Sequence, residues 1–162
     1  MSTSNSSDSP PENAVRVLRQ FRIVFNAVRN HFRQVERVTG IGGAQLWALA
    51  VVSDSPGVGV TELANALDVH QSTASNLVRA LATRKLIETR QSASDRRAVS
   101  LHVTATGATL LQSAPGPFSG ILPAALAQMK PAQLARLERD LGTLIEALTP
   151  DDEAGQTPLA DL

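Results

Sequence analysis

Residues 61–103 read TELANALDVHQSTASNLVRALATRKLIETRQSASDRRAVSLHV, and within them the hydrophobic period switches from helical to strand-like. Thr61–Leu67 sets Leu63, Ala64 and Leu67 on one helical face. Asp68-Val69-His70 is a three-residue turn, after which Gln71–Lys85 again has helical spacing, with Ala74, Leu77, Val78 and Leu81 inward. Ser72, Ser75, Asn76 and Arg79, at i, i+3, i+4 and i+7, share the opposite face. Leu86–Gln91 and Ala98–Val103 alternate with period two around the polar stretch Ser92–Arg97, the pattern of a β-hairpin.

Two short helices around a tight turn, with a hairpin directly after them, predict a winged helix-turn-helix. In that geometry the second helix enters the major groove of duplex DNA. Its outer face carries Gln71, Ser72, Thr73, Ser75 and Asn76, short or amide side chains able to meet base edges, and Arg79, which can reach guanine or phosphate. Ser72 and Thr73 also lie where backbone N–H groups at a helix start could hold a phosphate. A polar outer face is common to any surface helix. The absence of Asp and Glu between Gln71 and Lys85 is what favours a negative partner.

Charge along the chain agrees. The 162 residues have zero net charge, with 15 basic and 15 acidic groups. Residues 71–103 hold six basic and two acidic groups, whereas residues 104–162 hold three and seven. A basic centre beside an acidic end gives a local field that the total conceals. At the hairpin tip, Arg96 and Arg97 are placed to enter a flanking minor groove, and Arg90 lies on the first strand. Asp95 fits there as a turn cap or as an orienting partner of an arginine; the alternative is a solvated hairpin with a local ion pair.

On either side of this segment the pattern is purely helical. Glu12–Val38 predicts a helix about 40 Å long. Leu18, Phe21, Phe25, Val28, Phe32 and Val35 alternate three-four spacing along it as a heptad seam. Either the seam packs within its own domain or, because so long a helix outruns a small core, it joins two subunits. Ala44–Val52 is a short apolar helix bearing Trp47, a residue of the core or of a ligand cavity beside it. Thr104 is placed to cap a helix through Ala114, and Pro115-Gly116-Pro117 breaks the helical pattern at its end. Another helical piece covers Phe118–Met129. Pro131–Leu148 is the last helix, with a second seam that includes Leu137, Leu141 and Leu144.

These readings divide the chain into five parts: a disordered arm (1–11), an N-terminal dimerisation helix (12–38), a winged DNA-binding domain (41–103), C-terminal dimerisation helices (104–148) and an acidic flexible tail (149–162). The fold class is mainly α with a small β-hairpin wing. With no Cys there is no disulfide, thiolate metal site or thiol switch. His31, His70 and His102 have no metal-ligand spacing, and no catalytic constellation or phosphate loop is present, so no cofactor, metal or enzymatic activity is expected. No leader and no membrane-length apolar run is visible, which predicts a cytoplasmic protein without a membrane partner.

From Ala14 to Leu148 the order of parts resembles the MarR family of bacterial transcriptional regulators. The similarity rests on Asp95-Arg96-Arg97 with Val103-Thr104-Ala105-Thr106-Gly107 after it, on Glu62-Leu63-Ala64 with Leu67, on Ser72-Thr73-Ala74-Ser75, and on Gln45 and Leu49. The resemblance implies a homodimer joined through the first and last helices, a pseudo-palindromic operator, and a small-molecule effector that relieves repression. It assigns Arg97 to the minor groove, with Asp95 orienting it. Three departures stand out: Lys85 where the family has Gly, Thr89 where Arg is common, and Pro115-Gly116-Pro117 inside a normally long helix. The function expected is thus that of a sequence-specific regulator of transcription on double-stranded DNA, with a ligand-binding or protein-interaction module that keeps the fold without binding DNA as the alternative.

Overall fold

Leu46, Ala48, Leu49 and Val52 have no solvent exposure, and the helix that carries them is the spine on which the other elements pack. A computed structural model describes residues 11–91, 99–148, 155, 156, 158 and 159. In chain order the elements are α1 (Glu12–Thr39), α2 (Gly43–Asp54), α3 (Val60–Leu67), α4 (Gln71–Thr83), β1 (Ile87–Gln91), β2 (Val99–Val103), α5 (Ala105–Ser113), α6 (Ile121–Ala127) and α7 (Pro131–Leu148). The architecture is the mainly helical one with a two-stranded wing that the sequence predicts.

The central spine, α2, is apolar all round, which suits a helix covered on every side. Against it lie Leu63 and Leu67 of α3, Leu77, Val78 and Leu81 of α4, and Leu86, Ile87 and Leu101 of the wing. The two strands pair antiparallel in the register Ile87↔Val103 through Gln91↔Val99. Leu101 is fully buried, and the turn after α2 grips its backbone from the side away from β1: Gly57 N–H donates to the Leu101 carbonyl at 2.8 Å, and Leu101 N–H donates to the Val58 carbonyl at 2.9 Å. The turn that follows α2 thus supplies a third edge to the hairpin base.

Thr104 caps α5 by accepting from Gly107 N–H at 3.1 Å, while its own hydroxyl reaches the Lys85 carbonyl at 2.7 Å. Gly107 is buried against β1, and a Cβ there would lie 2.1 Å from the Leu86 carbonyl oxygen. Only glycine allows the helix so close an approach.

Two helices are shorter than their periodicity suggests. The helix expected over Gln71–Lys85 stops at Thr83, because Lys85 itself takes the left-handed conformation (φ 58°) that glycine usually supplies. The piece expected over Phe118–Met129 contracts to α6, which starts after Gly120 at φ 96°. Pro123 falls within its first turn, where no intrahelical donor is required.

The heptad seam of α1 divides in two. Val28 and Val35 are buried and Phe32 half-buried within this chain, whereas Leu18 and Phe25 are 49% and 56% exposed. Phe21 is half-buried and stacks on Phe25, with ring centroids 6.1 Å apart. The last helix, α7, buries none of its residues: Leu137 and Leu141 are half-covered, and Leu144, Ile145 and Leu148 are exposed. Most of the expected arm and tail lies outside the described residues. No described helix is long and apolar enough to cross a membrane.

Candidate nucleic-acid interface

Helix α4 presents its polar face because its apolar one is held down by Ala74, Leu77, Val78 and Leu81, all buried. Gln71, Ser72, Asn76 and Arg79 are exposed, and Thr83 continues the same stripe. Thr73 and Ser75 are half-buried, and the Ser75 hydroxyl donates to the Gln71 carbonyl at 2.9 Å, so its proton is already engaged. The helix contains no acidic residue. His70 precedes it without a side-chain cap, which leaves the first-turn N–H groups facing outward.

Arg79 donates through Nη1 to Asn76 Oδ1 at 3.1 Å. The pair holds the guanidinium over the helix face and occupies the amide oxygen. Bidentate reading of adenine by Asn76 uses both the oxygen and the NH2, so Arg79 must swing away for that contact to form.

On the wing, Arg90, Glu88, Ser100 and His102 share one face, as the strand register requires. The Arg90 guanidinium is paired with Glu88, its Nε at 2.9 Å from Oε1 and its Nη2 closer still. Both side chains are more than 45% exposed, so the pair is worth at most about 1 kcal/mol and a phosphate can displace the carboxylate. Sequence reading missed this partner, although the i, i+2 spacing on a strand puts both on one face. His102 is half-buried, with a ring nitrogen 3.2 Å from Ser100 Oγ. Asp95, Arg96 and Arg97 lie outside the described residues, so the wing's contribution starts here from Arg90.

Behind α4 lies a cavity of about 200 Å³, mostly apolar, walled by Val28 and Phe32 of α1, Trp47 of α2, Val69 of the α3–α4 turn and Leu77 of α4. Trp47 is the one wall residue that the sequence marks; the others come together only in the fold. Pro158 and Leu159 also line it. Its floor is thus the turn that sets the position of α4. Among the described residues no three His, Asp or Glu side chains gather as a metal site.

The helix pair followed by a wing recurs in known proteins. Residues 39–98 match the sequence model of the MarR family. The winged unit belongs to the MarR family. Solved MarR-fold structures extend the likeness well beyond that segment. Sco3205 of Streptomyces coelicolor, a MarR family transcriptional regulator in complex with DNA, is 23% identical with a TM-score of 0.60, covering 92% of this chain and 98% of that one. A MepR-like protein complexed with pseudoligands is 17% identical with a TM-score of 0.59, covering 86% and 97%. The S. aureus MepR–DNA complex is 21% identical with a TM-score of 0.57, covering 82% and 97%. At these identities the likeness is one of MarR fold. No curated protein matches the chain.

Proposed function

We infer that the protein is a sequence-specific, double-stranded DNA-binding regulator of transcription, cytoplasmic and homodimeric. The observation that carries this is the outer face of α4: a polar, acid-free stripe held outward by a fully apolar underside, in a MarR-family winged unit. Its partner is a pseudo-palindromic operator. Gln71, Ser72, Thr73, Ser75, Asn76 and Arg79 read the major groove, Arg90 takes a phosphate after parting from Glu88, and Arg96 and Arg97 enter the flanking minor groove, with Asp95 orienting them. The family regulates transcription and is not one of enzymes.

The dimer forms through Leu18, Phe21 and Phe25 of α1 and Leu137, Leu141 and Leu144 of α7. Support comes from the exposure of Leu18, Phe25 and Leu144 and from the absence of any buried residue on α7. The protein represses by occupying its operator, and a small apolar effector in the cavity at Trp47 lifts repression by shifting Val69 and Leu77, and with them α4.

Binding of the purified protein to the DNA upstream of its own gene, against Arg97→Ala, at 50 and 200 mM salt tests the reading. With about six phosphates neutralised, affinity should fall roughly a thousandfold over that range, and the variant should bind more weakly. A salt-insensitive interaction, or no binding to this DNA or to random promoter fragments, refutes it. The rival reading, a module of this fold that binds ligand or protein only, draws support from the engagement of Arg90 by Glu88 and from Thr89. A shallow salt slope would favour it.

A further inference from the structure

Between α1 and the winged unit the chain passes through Thr39-Gly40-Ile41-Gly42-Gly43, where three glycines in five residues make a natural joint. Gly40 is left-handed at φ 71°, and a Cβ at Gly42 would meet nothing within 4 Å. Thr39 ties the joint only to itself, its hydroxyl bonding Val35 and Ile41 backbone atoms. One side chain crosses it from afar. Arg84, the residue that closes α4, donates from Nη1 to the Gly40 carbonyl at 2.8 Å, a bond spanning 44 positions.

That bond joins the C-terminus of α1 to the C-terminus of α4. It also sets a cation at the negative end of a 28-residue helix dipole, which favours the same placement. Direct packing of α1 is mainly on α2, α5 and α6, and Val35 of α1 and Ile41 of the joint are buried in the core cluster that also holds Leu77, Val78 and Leu81 of α4; to that apolar anchor Arg84 adds a directional bond from the end of α4. Among the described residues no other side-chain hydrogen bond links α1 or its joint to α4.

We propose that Arg84 is a positioning residue that locks the angle between the dimer helix α1 and the recognition helix α4, and thereby sets the half-site spacing the dimer accepts. The inference rests on the DNA-binding reading above. Two half-sites sit one helical turn apart, about 10.5 base pairs. One inserted base pair rotates a half-site by about 34° and moves it about 3.4 Å. A stiff joint refuses that displacement; a joint without its clamp accommodates it.

The test uses Arg84→Met, which keeps side-chain length but removes charge and donors. Its probes are duplexes selected by the wild-type protein from a randomised library, together with the same duplexes carrying one base pair inserted or deleted at the centre. Wild type should lose at least about tenfold in affinity on the altered spacings, and the variant about threefold or less, with the salt slope unchanged. Backbone amides of Gly40 and Ile41 should exchange several-fold faster in the variant without any DNA present. Unchanged exchange overturns the clamp. So does undiminished spacing discrimination, or a salt slope reduced by about one per subunit, which would make Arg84 a phosphate ligand. Accelerated exchange in a protein that selects no duplex would leave the joint as described and overturn both the spacing role and the DNA-binding reading.

Discussion

Replacing Gly107 by Ala should destabilise the protein by about 3 kcal/mol, although the change favours helix formation in isolation. The added Cβ would stand 2.1 Å from the Leu86 carbonyl oxygen and 2.9 Å from Val103 Cγ2. A carbon tolerates such an oxygen at about 3.3 Å, so α5 must back away from β1 by more than about 1 Å. That retreat breaks the bond which the Leu86 carbonyl accepts from Thr104 N–H at 3.0 Å and disrupts the Thr104 hydroxyl, whose one proton is shared between the Lys85 and Leu86 carbonyls at 2.7 and 3.1 Å, at about 1 kcal/mol each. Displacing Leu86, itself 4% exposed, adds about 2 kcal/mol of packing strain. The better helix propensity of Ala returns about 1 kcal/mol. Thermal unfolding should therefore start about 6–12 °C lower for a chain of this size. Urea denaturation monitored by circular dichroism at fixed protein concentration measures the difference. A variant within about 1 kcal/mol of wild type would show that the wing base yields without loss, contrary to the contact geometry. Gly43→Ala is the control: its Cβ would meet the Phe32 ring, which can turn toward the neighbouring cavity, so the cost should stay below about 1.5 kcal/mol.

Lys85→Gly should stabilise the fold by about 0.5–1 kcal/mol, since Lys85 holds a left-handed conformation at φ 58°; a loss in urea midpoint would mean its side chain matters more than its backbone. Phe25→Asp, at a 56% exposed position of α1, should leave the monomer's helix content unchanged and weaken dimerisation at least a hundredfold by sedimentation; a dimer that survives would place the interface elsewhere. Trp47 is the sole tryptophan, so its fluorescence should shift when an apolar small molecule enters the cavity, and should not shift in Val69→Phe, where the larger ring fills the space; binding without any change at Trp47 would put the ligand outside that wall.

The parts of the fold legible in the sequence are those where local pattern and tertiary packing agree. Helix α4 shows its buried face as Ala74, Leu77, Val78 and Leu81, and α7 announces its start with Pro131. What stayed hidden was settled between distant residues. The end of α4 depends on Lys85 accepting a conformation its type rarely takes. The partner of Arg84 is a carbonyl 44 positions away, and the third edge of the wing comes from Gly57 and Val58, whose composition marks only a turn. The uniform seam of α1 gave no sign that its second half packs inward while Leu18 and Phe25 of its first half stay exposed, because periodicity reports a face but not what covers it. At the candidate site, the stripe on α4 was readable by spacing. The engagement of Arg79 with Asn76 and of Arg90 with Glu88 was not, since which of several reachable partners a long side chain selects depends on the folded backbone around it.

The core of the winged unit contains no buried polar or charged side chain among the described residues. Both ion pairs described, Arg16 with Glu12 and Arg90 with Glu88, lie at the surface and contribute little. Among the described residues, added salt therefore has little inside the fold to screen. The stability of the winged core should then change far less with ionic strength than DNA binding does. A salt titration of operator binding should thus report mainly on displaced counterions rather than on partial unfolding of the reader.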